Sequence, residues 1–229
     1  MNAILKSTRL TTLFIACRTI RNSIPMTKRL FILASLLLTV NASFGAIVKL
    51  NSGSLGFLKG ETQVNVEYSY EGMRVSKFEH EQDYIDKEVA VFNNKEAGKG
   101  ELWRQGWVAD RAERYQPKFE ELLNRYLADR KSSLKFGSFK DAKYTLILKT
   151  TFTEPGWVGL GLIRQSSLIS ADAVFLETQN RATPLVALTI TKSPGFGAMG
   201  YDYDPAIRIQ ESYAKAGKEF GIFIGKKIK

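Results

Sequence analysis

The chain has 229 residues, of which 44% are hydrophobic, and a formal net charge of +10 at pH 7. Residues 1–45 hold six of its 33 basic residues and none of its 23 acidic ones, so residues 46–229 carry a net charge of only about +4. A surface so close to neutral argues against nucleic acid as a partner. The sole cysteine, Cys17, also lies before residue 46, which excludes thiol catalysis and thiolate metal sites in the remainder.

The amino-terminal region has the pattern of a secretory signal peptide over residues 26–45. A basic lead, residues 27–29, precedes an uncharged apolar run at residues 30–40, and small residues follow at Ser43 and Gly45. The run is too short to span a bilayer, which needs about 20 residues. We therefore expect cleavage after Gly45 and export to the periplasm, the cell exterior or the outer-membrane surface, with at most peripheral membrane association.

Residues 1–25 have the pattern of neither a domain nor a linker, so we expect translation to start at Met26. A lipidated Cys17 after residues 14–16 (FIA) is the alternative, but it would leave the apolar run at residues 30–40 unexplained.

The exported part, residues 46–229, is expected to form one domain. Residues 46–60 favour a lead-in loop or a short edge strand. Alternation then predicts a strand at residues 62–70, with Val64, Val66, Tyr68 and Tyr70 on one face. A helix over about residues 84–92 should end within residues 93–100.

A second helix should begin near Glu101 and be kinked or divided at Pro117. Its apolar positions include Trp103, Trp107, Tyr115 and Phe119. Alternating charges indicate a solvated face, which comprises Asp110, Arg111, Glu113, Arg114, Glu120, Glu121 and Arg125.

Strands return at residues 143–152, 170–178 and 185–191, and Asp204-Pro205 opens the last helix as N-cap and first-turn proline. Gly217, Gly221 and Gly225 on that helix predict close packing against the sheet, with a partner surface as the alternative. The order β-α-β-β-β-α predicts an α+β fold with a roughly four-stranded mixed sheet and helices packed on one face.

The loops at residues 153–169 and 193–203 should emerge at one edge of this sheet, because the strands before them point the same way. They carry aromatic groups, carboxylates and a guanidinium that could bind a glycan or a peptide. The predicted ligand-binding residues are Glu154, Trp157, Arg164, Phe196, Tyr201, Asp202 and Tyr203. Alternatively, Trp157 and Phe196 fold back over the sheet end.

No coherent catalytic, cofactor or metal motif is present. Residues 195–200 match G-x-G-x-x-G, but the helix starts only at Asp204-Pro205, where an acidic cap would repel phosphate. His80, the only histidine, lacks a second ligand at metal-binding spacing and suits a solvated helix start. We expect neither a cofactor nor a metal.

Several segments together resemble a family of secreted bacterial proteins of unassigned function. They are LGFLKGE (55–61), DYI (83–85), W-x-x-x-W (103–107), KYTLILKTTFTEPG (143–156) and ESYAKAGK (211–218). The order of elements is also loosely similar to TolB N-terminal and CsgG-like envelope accessory domains. Neither resemblance implies a site residue.

These observations favour an exported, non-enzymatic binding or accessory domain whose partner is an envelope protein, peptide or glycan and whose contact surface is the loop edge or the last helix. The alternative is an envelope hydrolase that uses Glu154 with Asp202 or Asp204, which requires carboxyl groups roughly 5–10 Å apart.

Overall fold

Five strands of seven to eleven residues form most of a single mixed sheet. The structure, a computed structural model, describes residues 46–159, 164–196 and 204–228. The predicted targeting region and Tyr201, Asp202 and Tyr203 lie outside the described residues. The strands are β1 (Ile47–Gly53), β2 (Gln63–Ser69), β3 (Arg74–Val75), β4 (Lys135–Gly137), β5 (Tyr144–Glu154), β6 (Trp157–Val158), β7 (Arg164–Gln165), β8 (Ser167–Glu177) and β9 (Val186–Gly195).

Seven of these strands belong to the main sheet, whose order is β1-β9-β8-β5-β2-β4, with β3 paired to the far end of β5. β5, β8 and β9 are antiparallel neighbours, as their spacing predicts, whereas β2 runs parallel to β5 and β4. The α+β class is confirmed, but the prediction of four strands is wrong. The additional members are the edge strand β1 and the two- and three-residue strands β3 and β4, which are too short to show alternation.

The helices are α1 (Glu81–Asn93), α2 (Lys99–Asp110), α3 (Gln116–Ala128) and α4 (Pro205–Lys227), with a short 3₁₀ helix at Leu55–Leu58. A π-helical turn, Arg111–Tyr115, joins α2 to α3, and Pro117 lies in the first turn of α3. The predicted interruption near Pro117 therefore takes the form of a π turn. No helix among the described residues is both long and apolar enough to cross a membrane.

The core lies between one face of the sheet and helices α3 and α4. Alternate residues of β8, including Ala171, Ala173 and Phe175, are fully buried there. The ring of Phe220 on α4 stacks on Phe175 at 6.3 Å between centroids and packs on Phe119 of α3 at 6.0 Å. The opposite sheet face is only half-buried, which explains the clear two-residue alternation of these strands.

β-Bulges interrupt β5 and β9 at the same level, on either side of β8. Thr151 is the extra residue in β5, next to Phe152, which pairs with Ser170 of β8, and the shift in β9 at Lys192 lies at the same residue of β8. Lys192 has φ 49°, and its N–H donates to Ser170 Oγ at 3.1 Å. Such bulges bend a strand and redirect the residues beyond it. β5, β8 and β9 continue beyond these bulges and past their predicted boundaries. Much of the predicted loop at residues 153–169, and the start of the predicted loop at residues 193–203, is therefore strand.

Candidate functional site

The ends of β5, β8 and β9 lie beside four of the residues that the sequence predicts to bind a ligand, Glu154, Trp157, Arg164 and Phe196. Glu154 at the end of β5 lies opposite Leu168 of β8, and Gly195 at the end of β9 lies opposite Ser167. The expected arrangement, with the segments after β5 and β9 leaving one edge of the sheet, is therefore present. We refer to this region, residues 154–158, 164–167 and 193–196, as the sheet tip.

A two-stranded ribbon projects from the sheet tip, with Trp157 paired to Gln165 and Val158 to Arg164. Gly156 makes the turn into the ribbon with φ +69°, and a Cβ there would lie only 2.4 Å from the carbonyl oxygen of Gln165. The indole Nε1 of Trp157 donates to Gln165 Oε1 at 2.8 Å. This bond orients the ring while 47% of Trp157 remains exposed.

Arg208 of α4 fixes the base of this ribbon. Although only 5% exposed, its guanidinium donates to the carbonyl oxygens of Pro155 and Gly156, each at 3.1 Å. Its own carbonyl oxygen accepts from Ser167 Oγ at 2.5 Å, and the same hydroxyl contacts Ser212 Oγ at 2.7 Å. The ribbon is thereby held against a buried hydrogen-bond network, and its position is defined by α4.

The predicted ligand-binding residues at the sheet tip differ in their contacts and in their exposure. Glu154 Oε1 accepts from the N–H of Gly156 at 3.1 Å, which is a local turn contact. Arg164 and Phe196 line one cavity of about 10 Å³, which has room for about one water molecule. Phe196 is 61% exposed. The structure thus brings Arg164 and Phe196 together, and a ligand here would contact exposed side chains without entering a pocket.

A second feature, which the sequence did not single out, is a cleft of about 230 Å³ where the α1–α2 hairpin, the π turn and the start of α4 meet. We call it the aromatic cleft. Trp103 stacks on Phe92 at 5.8 Å and on Trp107 at 5.6 Å, and the ring of Tyr84 contacts both indoles. The side chain of Asn93 holds the hairpin turn by accepting from the N–H groups of Gly98 and Gly100.

The polar end of the aromatic cleft contains two carboxylates. Arg114 binds Asp110 at 2.7 Å and lies 3.9 Å from Asp204, which also caps α4 by accepting from the N–H of Ala206 at 2.8 Å. Burial raises the pKa of Asp110, and the nearby Asp204 and Glu113 raise it further while Arg114 opposes them. The cleft therefore holds more negative than positive charge.

Tyr115 lies beside these carboxylates. It is 4% exposed and stacks on Tyr213 at 5.2 Å, but its hydroxyl has no hydrogen-bond partner among the described residues. Burial raises the pKa of Tyr115, and the charges of Asp110 and Asp204 raise it further. A buried hydroxyl without a partner is uncommon in folded proteins.

The assignment of Asp110, Arg111 and Glu120 to a solvated face is wrong. The side chain of Asp110 is only 16% exposed, and Arg111 pairs with Glu81, which also accepts from Trp107 Nε1 at 2.6 Å. Asp110 and Arg111 lie where α2 meets the π turn, whereas Glu120 follows it, so the wider i→i+5 turn moves Glu120 away from its expected position in a continuous α-helix. The only sequence signal for the cleft is the W-x-x-x-W spacing close to Pro117.

The described residues contain no group of three or more His, Cys, Asp or Glu side chains that could hold a metal ion. His80 precedes α1 as an exposed N-cap residue.

Comparisons with known proteins give little guidance. No protein-family model and no curated protein matches the sequence. Among solved structures, a PelC dodecamer from Paraburkholderia phytofirmans in space group P6 is similar over 76% of this chain and 96% of that chain, with 10% identity and a TM-score of 0.34. A PelC variant in space group C2 gives 10% identity, coverage of 75% and 96%, and a TM-score of 0.29. Scores this low do not establish a common fold.

Proposed function

We propose that this chain is an exported, non-enzymatic binding domain that recognises a glycan of the bacterial envelope at the sheet tip. One observation carries the proposal: the indole of Trp157 is oriented by Gln165 and still about half-exposed, on a ribbon whose base is held by the buried Arg208. An aromatic ring that is held in place but not buried contributes little to folding. It is suited to stack on the C–H face of a sugar.

The surroundings of Trp157 supply the polar and apolar groups that such recognition needs. Arg164 and Gln165 are exposed beside it and can hydrogen-bond to hydroxyl or carboxylate groups of a ligand. Phe196 offers a second exposed ring on the adjacent strand end, and it also lines a groove of about 300 Å³ against α3 and α4. Export, which the signal peptide predicts, would place this surface in contact with envelope glycans.

Truncating the two exposed rings tests this function. We expect the Trp157→Ala/Phe196→Ala variant to lose at least about tenfold in affinity for peptidoglycan fragments or for oligosaccharides on an envelope-glycan array, which corresponds to about 1.4 kcal/mol. Folding should persist, because both side chains are largely exposed. Trp157→Phe, which keeps a ring, should retain part of the affinity.

Leu102→Ala is the matched control, because Leu102 is an exposed apolar residue (68%) on α2, away from the sheet tip. Equal binding by the wild type and the double variant would contradict the proposal. Binding of peptides but not glycans would assign the surface to a protein partner. Release of soluble fragments from the glycan, lost in Glu154→Gln, would favour the hydrolase alternative.

A further inference from the structure

A groove of about 300 Å³, which we call the α4 groove, runs along one face of α4 beside the sheet tip. Four residues of α4 line it, namely Glu211, Ala214, Lys215 and Lys218. Their spacing of three and four residues places them on the same face of the helix. The volume lies at the lower end of the range of about 300–1,000 Å³ for small-molecule sites, so the groove suits a short ligand.

The remaining lining of the α4 groove is apolar. Ala214, which is 7% exposed, lies between the charged residues of the helix face. Leu122 of α3 and Pro194 and Phe196 at the end of β9 complete the lining. An apolar side chain of a ligand would lose contact with water here, which favours binding by about 25 cal/mol for each Å² of apolar surface that is buried.

The two ends of the α4 groove differ in position. The end that carries Glu211 lies beside the sheet tip, because a Cβ on Gly195 would lie only 2.5 Å from the backbone nitrogen of Ser212. At the other end, the ammonium group of Lys218 lies over the ring of Tyr126 on α3, 5.0 Å from its centroid. This contact holds the Lys218 side chain on the side of α4 that faces α3.

Two half-buried groups of opposite charge in the α4 groove have no ion pair with any described residue. Lys215 binds Glu219 at 2.8 Å within the helix, so these two charges neutralise each other. The side chain of Glu211 has neither an ion pair nor a hydrogen bond within the described part of the chain, and Lys218 has no carboxylate partner there. An ammonium group at Glu211 and a carboxylate at Lys218 would therefore each form a new charge-assisted hydrogen bond.

The separation of these two charges sets the length of the ligand. Glu211 and Lys218 are seven residues apart on α4, which corresponds to about 10 Å along the helix axis at about 1.5 Å per residue. An extended peptide spans about 3.3–3.6 Å per residue, so three residues cover about 10 Å. A free tripeptide therefore carries its terminal ammonium and carboxylate groups at the separation that the groove requires.

We infer that the α4 groove binds a short zwitterionic peptide of about three extended residues. Its terminal ammonium group pairs with Glu211 and its terminal carboxylate with Lys218. The side chain of its middle residue packs against Ala214 and Leu122. The inference does not rest on glycan recognition at the sheet tip, because Trp157 does not line the groove.

Calorimetric titration of the exported chain with the tripeptide Ala-Leu-Ala tests the inference, and two blocked forms of the same peptide are the comparison ligands. N-acetyl-Ala-Leu-Ala lacks the ammonium group, and Ala-Leu-Ala amide lacks the carboxylate. We expect each to bind at least about tenfold more weakly than the free peptide, because a charge-assisted hydrogen bond is lost. The dipeptide Ala-Leu should also bind more weakly, since it spans only about 7 Å.

Two substitutions should each act through one end of the peptide. Glu211→Gln should weaken binding of Ala-Leu-Ala at least about tenfold but should leave the affinity for the acetylated form unchanged. Lys218→Met should have the same effect on the free peptide and should leave the affinity for the amide unchanged. This crossed pattern distinguishes direct pairing from a general disturbance of the groove. Ala214→Leu should abolish binding of all forms by filling the groove.

Asp141→Asn and Lys140→Met are the matched controls, because both residues are exposed and lie outside the groove. Trp157→Ala should bind Ala-Leu-Ala normally and Glu211→Gln should retain glycan binding, so failure of one site is distinguishable from failure of the other. The inference would be overturned by absence of Ala-Leu-Ala binding or by equal binding of the free and blocked forms. Wild-type affinity in folded Glu211→Gln and Lys218→Met variants would overturn it as well.

Discussion

Glu120 lies half-buried on α3, where its Oε1 atom accepts a hydrogen bond from the hydroxyl of Tyr68 at 2.9 Å. Burial raises the pKa of this carboxyl group, and the hydrogen bond from Tyr68 opposes the shift only in part. The folded state therefore disfavours the charged form. A raised carboxyl pKa contributes stability that is present at low pH and is lost as the pH rises through the folded-state value.

We therefore expect Glu120→Gln to be at least as stable as the wild type at pH 7, because the amide oxygen still accepts from Tyr68 without a buried charge. Its advantage should shrink on acidification, as Glu120 of the wild type becomes protonated. Thermal unfolding of both proteins between pH 3 and pH 7, in steps of about one unit across the carboxyl range, measures this difference. Each kcal/mol should change the melting temperature by about 2–4 °C.

Glu121→Gln is the control, since Glu121 is exposed and bonds only to Lys118 among the contacts found for it. Its effect should be small at every pH. A Glu120→Gln variant that is less stable at pH 7, by an amount independent of pH, would show that the charge of Glu120 is favourable in the fold.

At the scale of an element, α4 packs directly on α3 through its glycines. A Cβ on Gly217 would lie 2.2 Å from the carbonyl oxygen of Phe119, and one on Gly221 would lie 2.7 Å from that of Leu123. The glycine repeat therefore serves packing within the molecule, as the sequence predicts, but the surface it packs on is α3 and not the sheet. Gly217→Ala should destabilise the protein by about 1–3 kcal/mol through overpacking, despite the better helix propensity of alanine.

Gly106→Ala provides the matched comparison, because Gly106 is also helical but an added Cβ there would have no atom within 4 Å. Here only propensity changes, so this variant should gain up to about 1 kcal/mol. Urea unfolding of both variants measures the two changes. Stabilisation by Gly217→Ala would contradict the close approach of α3 and α4.

The elements differ in how well the sequence predicts them. β2 and α4 are predictable, because the alternation of residues 62–70 and the cap Asp204-Pro205 are local signals that the structure confirms. The ends of β8 and β9 are not predictable, because the bulges opposite Ser170 depend on pairing between distant strands. The aromatic cleft is missed for the same reason, since the π turn brings Asp110 and Tyr115 to a helix start 90 residues away in the chain.

At the scale of the whole molecule, the sheet tip and the aromatic cleft are both positioned by the first turns of α4. Arg208 holds the ribbon of Trp157, and Asp204 contributes to the cleft one turn earlier. The sequence predicts α4 and its cap, which the structure confirms, and it proposes Trp157, Arg164 and Phe196 as ligand-binding residues. It could not show that the same helix start serves both regions, because that follows from how α4 packs on β8, β9 and the π turn.

The predicted export of the chain also concerns the whole molecule, and the position of β1 is compatible with the predicted cleavage after Gly45. β1 begins at Ile47 and pairs with β9 along its whole length, from Thr191 to Val186. Cleavage after Gly45 would therefore leave this edge strand complete. We expect the full chain, expressed in a Gram-negative host, to be recovered from the periplasmic or outer-membrane fraction with Ala46 as its first residue. Amino-terminal sequencing of the purified protein checks this.

Two variants distinguish cleavage after Gly45 from lipidation at Cys17. Leu37→Arg places a charge inside the apolar run at residues 30–40 and should abolish both export and cleavage, because the run can no longer enter the bilayer. Cys17→Ser should have no effect if translation starts at Met26. Loss of membrane association in Cys17→Ser, together with a lipid-modified cysteine in the wild type, would show that the chain is a lipoprotein. In that case the apolar run would remain in the mature protein ahead of β1, and the sheet tip and the α4 groove would act at a membrane surface.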